Sequence, residues 1–367
     1  MIYLPVLTIN KNFKIIHEDH KTTARKDASS LLEDCAELAK QNLQNTDAVA
    51  EAILAELAGC MEKEIANQLS FVADEIAFSA ATRKKMGEYY ENYTCADFDL
   101  PTSEPEELTT WFDSKRQITL DVEIMHDRPA SRIHVVKNFI TEEECLAMEE
   151  EAAPTLHRAV VADGAGEHKL SENRKAMQAG IKVPWEKEAD GNHIAAISRR
   201  VYDYTNFVLN LNISEIGQED LMSIQYFGRG ENETKPDQYM PHCDGECTGD
   251  PHKYGNRMAT MVMYCTIPTK GGATNFRNSG LHVHPIKGNA IFFSYINPET
   301  KIMDSGFTEH SGCPVVEGEK KIVTQWIRLG VTAEVPWTAY NSLGLLRKDT
   351  IDQDETVKAT ASVEPEQ

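Results

Sequence analysis

The sequence predicts an α+β protein: a double-stranded β-helix (jelly-roll) domain with supporting helices, preceded by an N-terminal helical hairpin. Short β-rich runs crowd the second half, at Leu221–Phe227, Met258–Ile267, His282–His284, Ala290–Ile296 and Lys321–Leu329. Turn residues separate them, in Gly228-Arg-Gly230, Gly271-Gly272, Pro285-Ile-Lys-Gly288 and Asn297-Pro298. The amino-terminal part carries helical periodicity instead.

Taken in chain order, residues 1–28 are polar and irregular. Ser30 with Glu33 makes a capping box, after which Leu31, Cys35, Leu38 and Ala39 recur at three- and four-residue spacing. A break at Asn45-Thr46-Asp47 precedes a second helical stripe, Val49, Ile53, Leu54, Leu57, Met61, Ile65, Leu69, Val72 and Ile76. Together these predict a hairpin with one apolar face, which serves packing or dimerisation. Thr94 to Asp113 holds Pro101, Pro105 and many acidic side chains, a linker composition. Ile133 to Phe139 is strand-like, and Thr141 to Glu151 reads as a helix capped by Thr141 with Glu144 at the third position. A further helix is expected from Gly191 to Leu209. Beyond Asp349 the tail is acidic and lacks aromatics, a disordered composition. The domain limits that follow are 1–125 for the helical region and linker, 126–335 for the jelly roll, and 336–367 for the tail.

Composition narrows the function classes. The chain has 367 residues, 41% of them hydrophobic, which excludes wholesale disorder. Asp and Glu number 58 against 37 Lys and Arg, a net charge of −21. Such a surface repels phosphate backbones, so nucleic acid is not an expected partner. No apolar run approaches the roughly 20 residues a membrane-spanning helix needs. Met1 to Ile9 is apolar but lacks the basic flank and cleavage site of a signal peptide. The eight cysteines (Cys35, Cys60, Cys95, Cys145, Cys243, Cys247, Cys265 and Cys313) are scattered with no CxxC pair. Neither a zinc ribbon nor a disulfide-dense scaffold is expected from that spacing, and Cys313 reads as packing. Sequons at Asn92, Asn212 and Asn232 matter only in a secreted chain.

The chemistry concentrates at Pro241-His242-Cys243-Asp244. On a strand, residues i and i+2 share a face, so His242 and Asp244 can reach one point while Cys243 faces away. His310 supplies a second imidazole much later in the chain. Two histidines and a carboxylate form the facial triad of non-haem Fe(II) oxygenases, which leaves coordination positions open for co-substrate and dioxygen. Lys320 then enters the strand Ile322-Val-Thr-Gln-Trp326. A cation there can hold the remote carboxylate of a dicarboxylic co-substrate, helped by the hydroxyls of Thr274 and Tyr226. His282 and His284 alternate on a strand without a carboxylate partner and read as structural, and Met258, Met261 and Met263 read as packing.

From about Ile133 to Gly330 the chain resembles the 2-oxoglutarate- and Fe(II)-dependent prolyl 4-hydroxylases, of the collagen-modifying α-subunit and plant or algal type. The likeness runs through Gln225-Tyr226-Phe-Gly, Tyr239-Met-Pro-His242-x-Asp244, Arg257-Met-Ala-Thr-Met-Val-Met-Tyr264 and Gly271-Gly272-Ala-Thr274-x-Phe276. It continues in Pro285-x-Lys-Gly288-x-Ala290-x-Phe292 and His310-Ser-Gly-Cys313-Pro-Val-Val-Glu-Gly-Glu-Lys320, ending at Trp326. The resemblance implies that His242, Asp244 and His310 bind Fe(II), and that Lys320, Thr274 and Tyr226 bind 2-oxoglutarate. It places Tyr239, Arg257 and Trp326 at a proline-containing peptide. It also implies L-ascorbate as the reductant that rescues oxidised iron, and release of succinate and CO2. Three features depart from the family: Lys321 replaces an aromatic residue, Glu231–Pro236 lengthens a turn, and one residue is added between Asp304 and His310. They bear on substrate choice rather than on the metal.

The expected function is therefore a peptidyl-proline 4-hydroxylase. Two alternatives stand beside it: the same iron chemistry on a lysyl, aspartyl or small-molecule substrate, and a non-catalytic scaffold. The N-terminal helices are a candidate surface for homo-oligomers or partners. The resemblance favours the endoplasmic reticulum lumen, whereas the missing signal peptide favours the cytoplasm.

Overall fold

The computed structural model describes residues 98–162, 168–170, 173–341 and 344–347, together with 35, 37, 51–63, 65, 66 and 95. The chain divides into two units, Met1–Lys84 and Lys85–Gln367. In the first, residues 51–63 are helical, as are 35 and 37, and a Cys35–Cys60 disulfide joins the two stretches. The rest of the expected hairpin lies outside the described residues, as does the tail beyond Asp349.

The second unit opens with β1 (Glu107–Asp113), β2 (Ile118–Arg128) and β3 (Ser131–Val136), followed by helix α1 (Glu142–Ala152). Thr141 caps α1: its hydroxyl accepts the Glu144 N–H and the Glu144 carboxylate accepts the Thr141 N–H, the expected capping box. Short strands follow: β4 (His157–Arg158), β5 (Val160–Ala162), β6 (His168–Leu170), β7 (Arg174–Lys175) and β8 (Met177–Ile181). Helix α2 (His193–Leu209) starts two residues later than predicted, because the Asn192 side chain accepts the N–H groups of Ile194 and Ala195.

Eight principal strands are then shared between two antiparallel sheets, four in each, with β13 and β14 consecutive in the smaller one. They are β9 (Leu221–Phe227), β10 (Asp237–His242), β11 (Arg257–Thr266), β13 (Thr274–Phe276), β14 (Leu281–Val283), β15 (Ala290–Ser294), β16 (His310–Glu317) and β17 (Glu319–Arg328), with the short β12 (Lys270–Gly271) beside β16. The larger sheet has the order β1-β2-β3-β15-β11-β17-β9-β8-β4, and the smaller β14-β13-β16-β10-β7. β11 and β15 are buried along almost their whole length, so the larger sheet reads as near-continuous apolar sequence.

Two predicted boundaries move. Residues 107–125, assigned to the helical region and linker, belong to the larger sheet. Trp111 packs on Phe139 and Tyr204, and Asp113 accepts from Arg200, which also holds Glu144 of α1. As an edge strand, β1 exposes its first four residues, which hides the alternation from a sequence reading. At the other end, residues 336–341 and 344–347 pack on this unit rather than starting a free tail. Arg328 donates to the Asn341 carbonyl, and Tyr340 bridges to Leu346.

The cysteine expectation is overturned. All eight are paired, as Cys35–Cys60, Cys95–Cys313, Cys145–Cys265 and Cys243–Cys247. Partners separated by 120 and 218 positions meet only in the folded chain, so local spacing carried no sign of them.

Candidate active site

The site lies between the two sheets, in a cleft of about 450 Å³ counting its mouth. His242, the last residue of β10, is the register partner of His310, the first of β16. This pairing brings together two histidines far apart in sequence, with ring centroids 4.3 Å apart. His242 donates Nδ1–H to the Met240 carbonyl at 2.8 Å, and His310 donates Nδ1–H to the Thr308 carbonyl at 3.0 Å. A carbonyl can only accept, so each Nε2 is left with a free lone pair.

Both lone pairs converge on Asp244. His242 Nε2 is 3.5 Å from Oδ1 and His310 Nε2 is 3.9 Å from Oδ2. Asp244 does not continue the strand as expected but sits in the bend after it. The Thr260 hydroxyl donates to Oδ2 at 2.8 Å and aims the carboxylate. The next residue must be glycine for space: a Cβ at Gly245 would lie 2.6 Å from the Tyr295 ring and 2.9 Å from the Arg257 carbonyl. Burial favours the protonated form of Asp244, but His310, His242 and Arg257 outweigh it and hold the carboxyl well below the usual range. Burial, reinforced by His242, pushes His310 down to about 4, so its imidazole is neutral near pH 7.

Lys320 lies deeper. It is the register partner of Tyr226 across β17 and β9, and only 2% of it is exposed. Its ammonium is 5.6 Å from the ring centres of both Tyr226 and Tyr264 and has no carboxylate partner among the described residues. Burial pulls it down to about 7. Thr274, on β13, shares a 2.7 Å hydrogen bond with the Tyr264 hydroxyl. Lys320, Thr274 and Tyr226 all line the cleft with the two imidazoles and Asp244, as the sequence predicts.

Of the expected peptide contacts, Tyr239 and Trp326 line the cleft and Arg257 does not. Glu219 takes both Nε and Nη2 of Arg257 at 2.6 Å, and the guanidinium lies 3.9 Å from the Trp326 ring centre. Arg257 therefore braces the wall instead of meeting a ligand. Sequence reasoning missed Thr260 and Arg174. Arg174, on β7, lines the cleft over the Tyr239 ring, and its Nε and Nη2 are buried without an acceptor. No motif marks it; it arrives because β7 pairs with Gln238 and Tyr239 of β10. His282 and His284 stay outside the cleft, their N–H groups accepted by Ser103 and Thr102.

The chain is similar in sequence to known proteins over this region. The 2OG-Fe(II) oxygenase superfamily profile matches residues 229–328. The probable prolyl 4-hydroxylase 4 of Arabidopsis thaliana is 30% identical over 220 residues, covering 54% of this chain and 67% of that protein. The chain belongs to the prolyl 4-hydroxylase family. The prolyl 4-hydroxylase subunit alpha-2 of Caenorhabditis elegans is also 30% identical, over 213 residues that cover 57% of this chain and 36% of the relative. The chain thus matches little more than a third of the length of its animal relatives. Among solved structures, the viral collagen prolyl hydroxylase of Paramecium Bursaria Chlorella virus-1, in complex with 2OG, aligns with 26% identity and a TM-score of 0.41. That alignment covers 54% of this chain and 95% of the viral protein.

The superfamily is named for Fe(II) and 2-oxoglutarate, and the residues present fit both. One ligand atom each from His242, Asp244 and His310 lies within 4.8 Å of the others, so the donor set is two imidazole nitrogens and a carboxylate oxygen. Each histidine has its second nitrogen fixed by a carbonyl, the outer support that metal-binding imidazoles need. Lys320 offers a buried ammonium with no carboxylate partner among the described residues, to which the far end of a dicarboxylate could pair.

Proposed function

We propose that this protein is a 2-oxoglutarate- and Fe(II)-dependent dioxygenase that hydroxylates peptidyl proline, converting 2-oxoglutarate and dioxygen to succinate and CO2. The observation that carries the reading is one cleft holding a two-histidine, one-carboxylate cluster and, deeper, a buried ammonium with no counter-ion among the described residues. His242, Asp244 and His310 hold the iron, which supplies the oxidising power. Lys320 pairs with the C5 carboxylate of 2-oxoglutarate, helped by Tyr226 and Thr274. The apolar walls Ile224, Val262 and Ile322 exclude water around it. L-Ascorbate fits as the reductant that keeps the iron ferrous. The division of eight strands between two sheets supports reading the domain as a jelly roll.

A peptide is favoured by what the walls lack. Among the described residues Trp326 Nε1 is a buried donor without an acceptor, and a main-chain carbonyl of an extended peptide would satisfy it. Four disulfides, with exposed sequons at Asn212 and Asn232, support an oxidising compartment such as the endoplasmic reticulum lumen over the cytoplasm. The test is incubation of the protein with proline-rich peptides, Fe(II), 2-oxoglutarate and ascorbate under air, followed by peptide mass spectrometry. Hydroxyproline with matching succinate is the expected result. Succinate without hydroxyproline would move the chemistry to another substrate, and no succinate at all would leave a scaffold.

A further inference from the structure

We propose that the Cys243–Cys247 disulfide is a positioning clip for the metal-ligand pair, holding His242 and Asp244 ready for the ion, and that a dithiol which opens it weakens metal binding. The inference rests on the assignment of His242, Asp244 and His310 as ligands.

Cys243 lies between the two ligands in sequence, and its bond to Cys247 closes a ring over Asp244, Gly245 and Glu246. Its sulfurs are not themselves donors to the site: His242 and Asp244 line the cleft and neither cysteine does. Nor is global stability its main role. Loop-closure entropy grows with the length of chain closed, and this separation is 4, against 120 for Cys145–Cys265 and 218 for Cys95–Cys313. What the clip restrains is local.

That restraint matters because the other ties of the segment are packing and side-chain contacts: Gly245 is buried against Tyr295, and Glu246 accepts the Thr248 hydroxyl and lies 3.8 Å from Lys253. β10 ends at His242, and among the described residues 243–247 make no main-chain hydrogen bond to other main chain. Asp244 is tied by the Thr260 hydroxyl on its carboxylate and by a 3.4 Å contact from Arg257 to its carbonyl. Without the cross-link, Cys243 and Glu246 would turn more freely about Asp244, and the carboxylate would have to be ordered when the metal binds. A preorganised ligand avoids that entropy cost.

The clip is also the most accessible disulfide of this unit. Cys243 and Cys247 are half-buried, whereas Cys95, Cys313, Cys145 and Cys265 are all buried. A dithiol reductant therefore reaches it first. In that exchange the Cys243–Cys247 S–S bond breaks, each sulfur gains one electron and one proton, and the dithiol is oxidised to its own disulfide.

The test uses Co(II) as the probe, titrated calorimetrically into the full chain without substrate. Three samples are compared: oxidised wild type, wild type treated with enough dithiol to open only this disulfide (confirmed by thiol-mapping mass spectrometry), and the Cys243→Ser/Cys247→Ser double variant. Oxidised wild type is expected to bind cobalt about 10-fold or more tightly than the other two, with no further dithiol effect on the double variant. Equal affinity in all three overturns the clip while leaving the ligands in place, provided binding is still lost in His310→Ala. A dithiol effect that persists in the double variant also overturns it, since the loss then arises at another disulfide. A wild type that binds no cobalt removes the ligand assignment and the clip together. Should the double variant misfold by near-ultraviolet circular dichroism, the two wild-type samples decide the matter.

Discussion

His242 and His310 are partners in the register of β10 and β16, and each imidazole gives its Nδ1 proton to the carbonyl of the residue two places before it. One local geometry, used twice on neighbouring strands, thus turns two Nε2 lone pairs toward Asp244. A proton on either Nε2 would remove a donor from the cluster.

The first prediction concerns the cluster itself. His310→Ala removes one of three donors and leaves the register partner facing a gap. Co(II) affinity is expected to fall by at least about 100-fold, beyond the roughly 10–100-fold typical of outer-shell changes, and hydroxylation to vanish. Calorimetric titration of cobalt checks it, and wild-type affinity in the variant would count against the assignment.

Lys320 gives two expectations. Charge-assisted hydrogen bonds contribute about 1.5–3 kcal/mol, so Lys320→Ala should raise the 2-oxoglutarate requirement roughly 10–100-fold. Its ammonium, lowered to about 7 by burial, is charged below that pH and loses its proton above it in the empty cleft. Binding a dicarboxylate restores the charge, so 2-oxoglutarate binding should weaken as pH rises from 6.5 to 8.5, with proton uptake. Titrations in buffers of different ionisation enthalpy measure that uptake; a flat profile refutes the role.

Thr260 was invisible as a site residue, yet its hydroxyl aims Asp244. Thr260→Val keeps the shape of a buried strand residue and removes the donor. Cobalt affinity is expected to drop roughly 10–100-fold with no change in the metal-free unfolding free energy beyond about 1–3 kcal/mol.

The Arg200 network tests the domain limits. Arg200 is buried with Asp113 of β1 and Glu144 of α1 at 2.9 and 2.7 Å. Breaking one partner of a buried ion pair costs about 3–5 kcal/mol, so Arg200→Leu should lower the unfolding free energy by that amount, read from the denaturant midpoint and slope. A variant as stable as wild type would mean that β1 is not held to this unit by the pair.

The strands that were legible in the sequence are revealing. β9 coincided with its predicted range, and β11, β15 and β17 lay within two residues of theirs. All four belong to the larger sheet, where burial makes the apolar signal continuous. In the smaller sheet β14 was foreseen and β10 only at its His242 end, while β13 and β16 were not. β10, β13 and β16 carry His242, Thr274 and His310 and include Pro241, Gly312 and Pro314, so the residues that build the site break the pattern that announces a strand.

From the sequence alone came the identity of the cluster, Lys320 and the cleft-lining aromatics Tyr239 and Trp326, because their types and order are written in the chain. Only the folded chain decided that Arg257 is spent on Glu219, that Arg174 lines the cleft, that Thr260 holds Asp244, and that eight scattered cysteines form four cross-links. The physical reason is that each of these depends on which strands become neighbours. Antiparallel register joins positions such as His242 and His310 that lie far apart along the backbone, and no local spacing encodes that pairing.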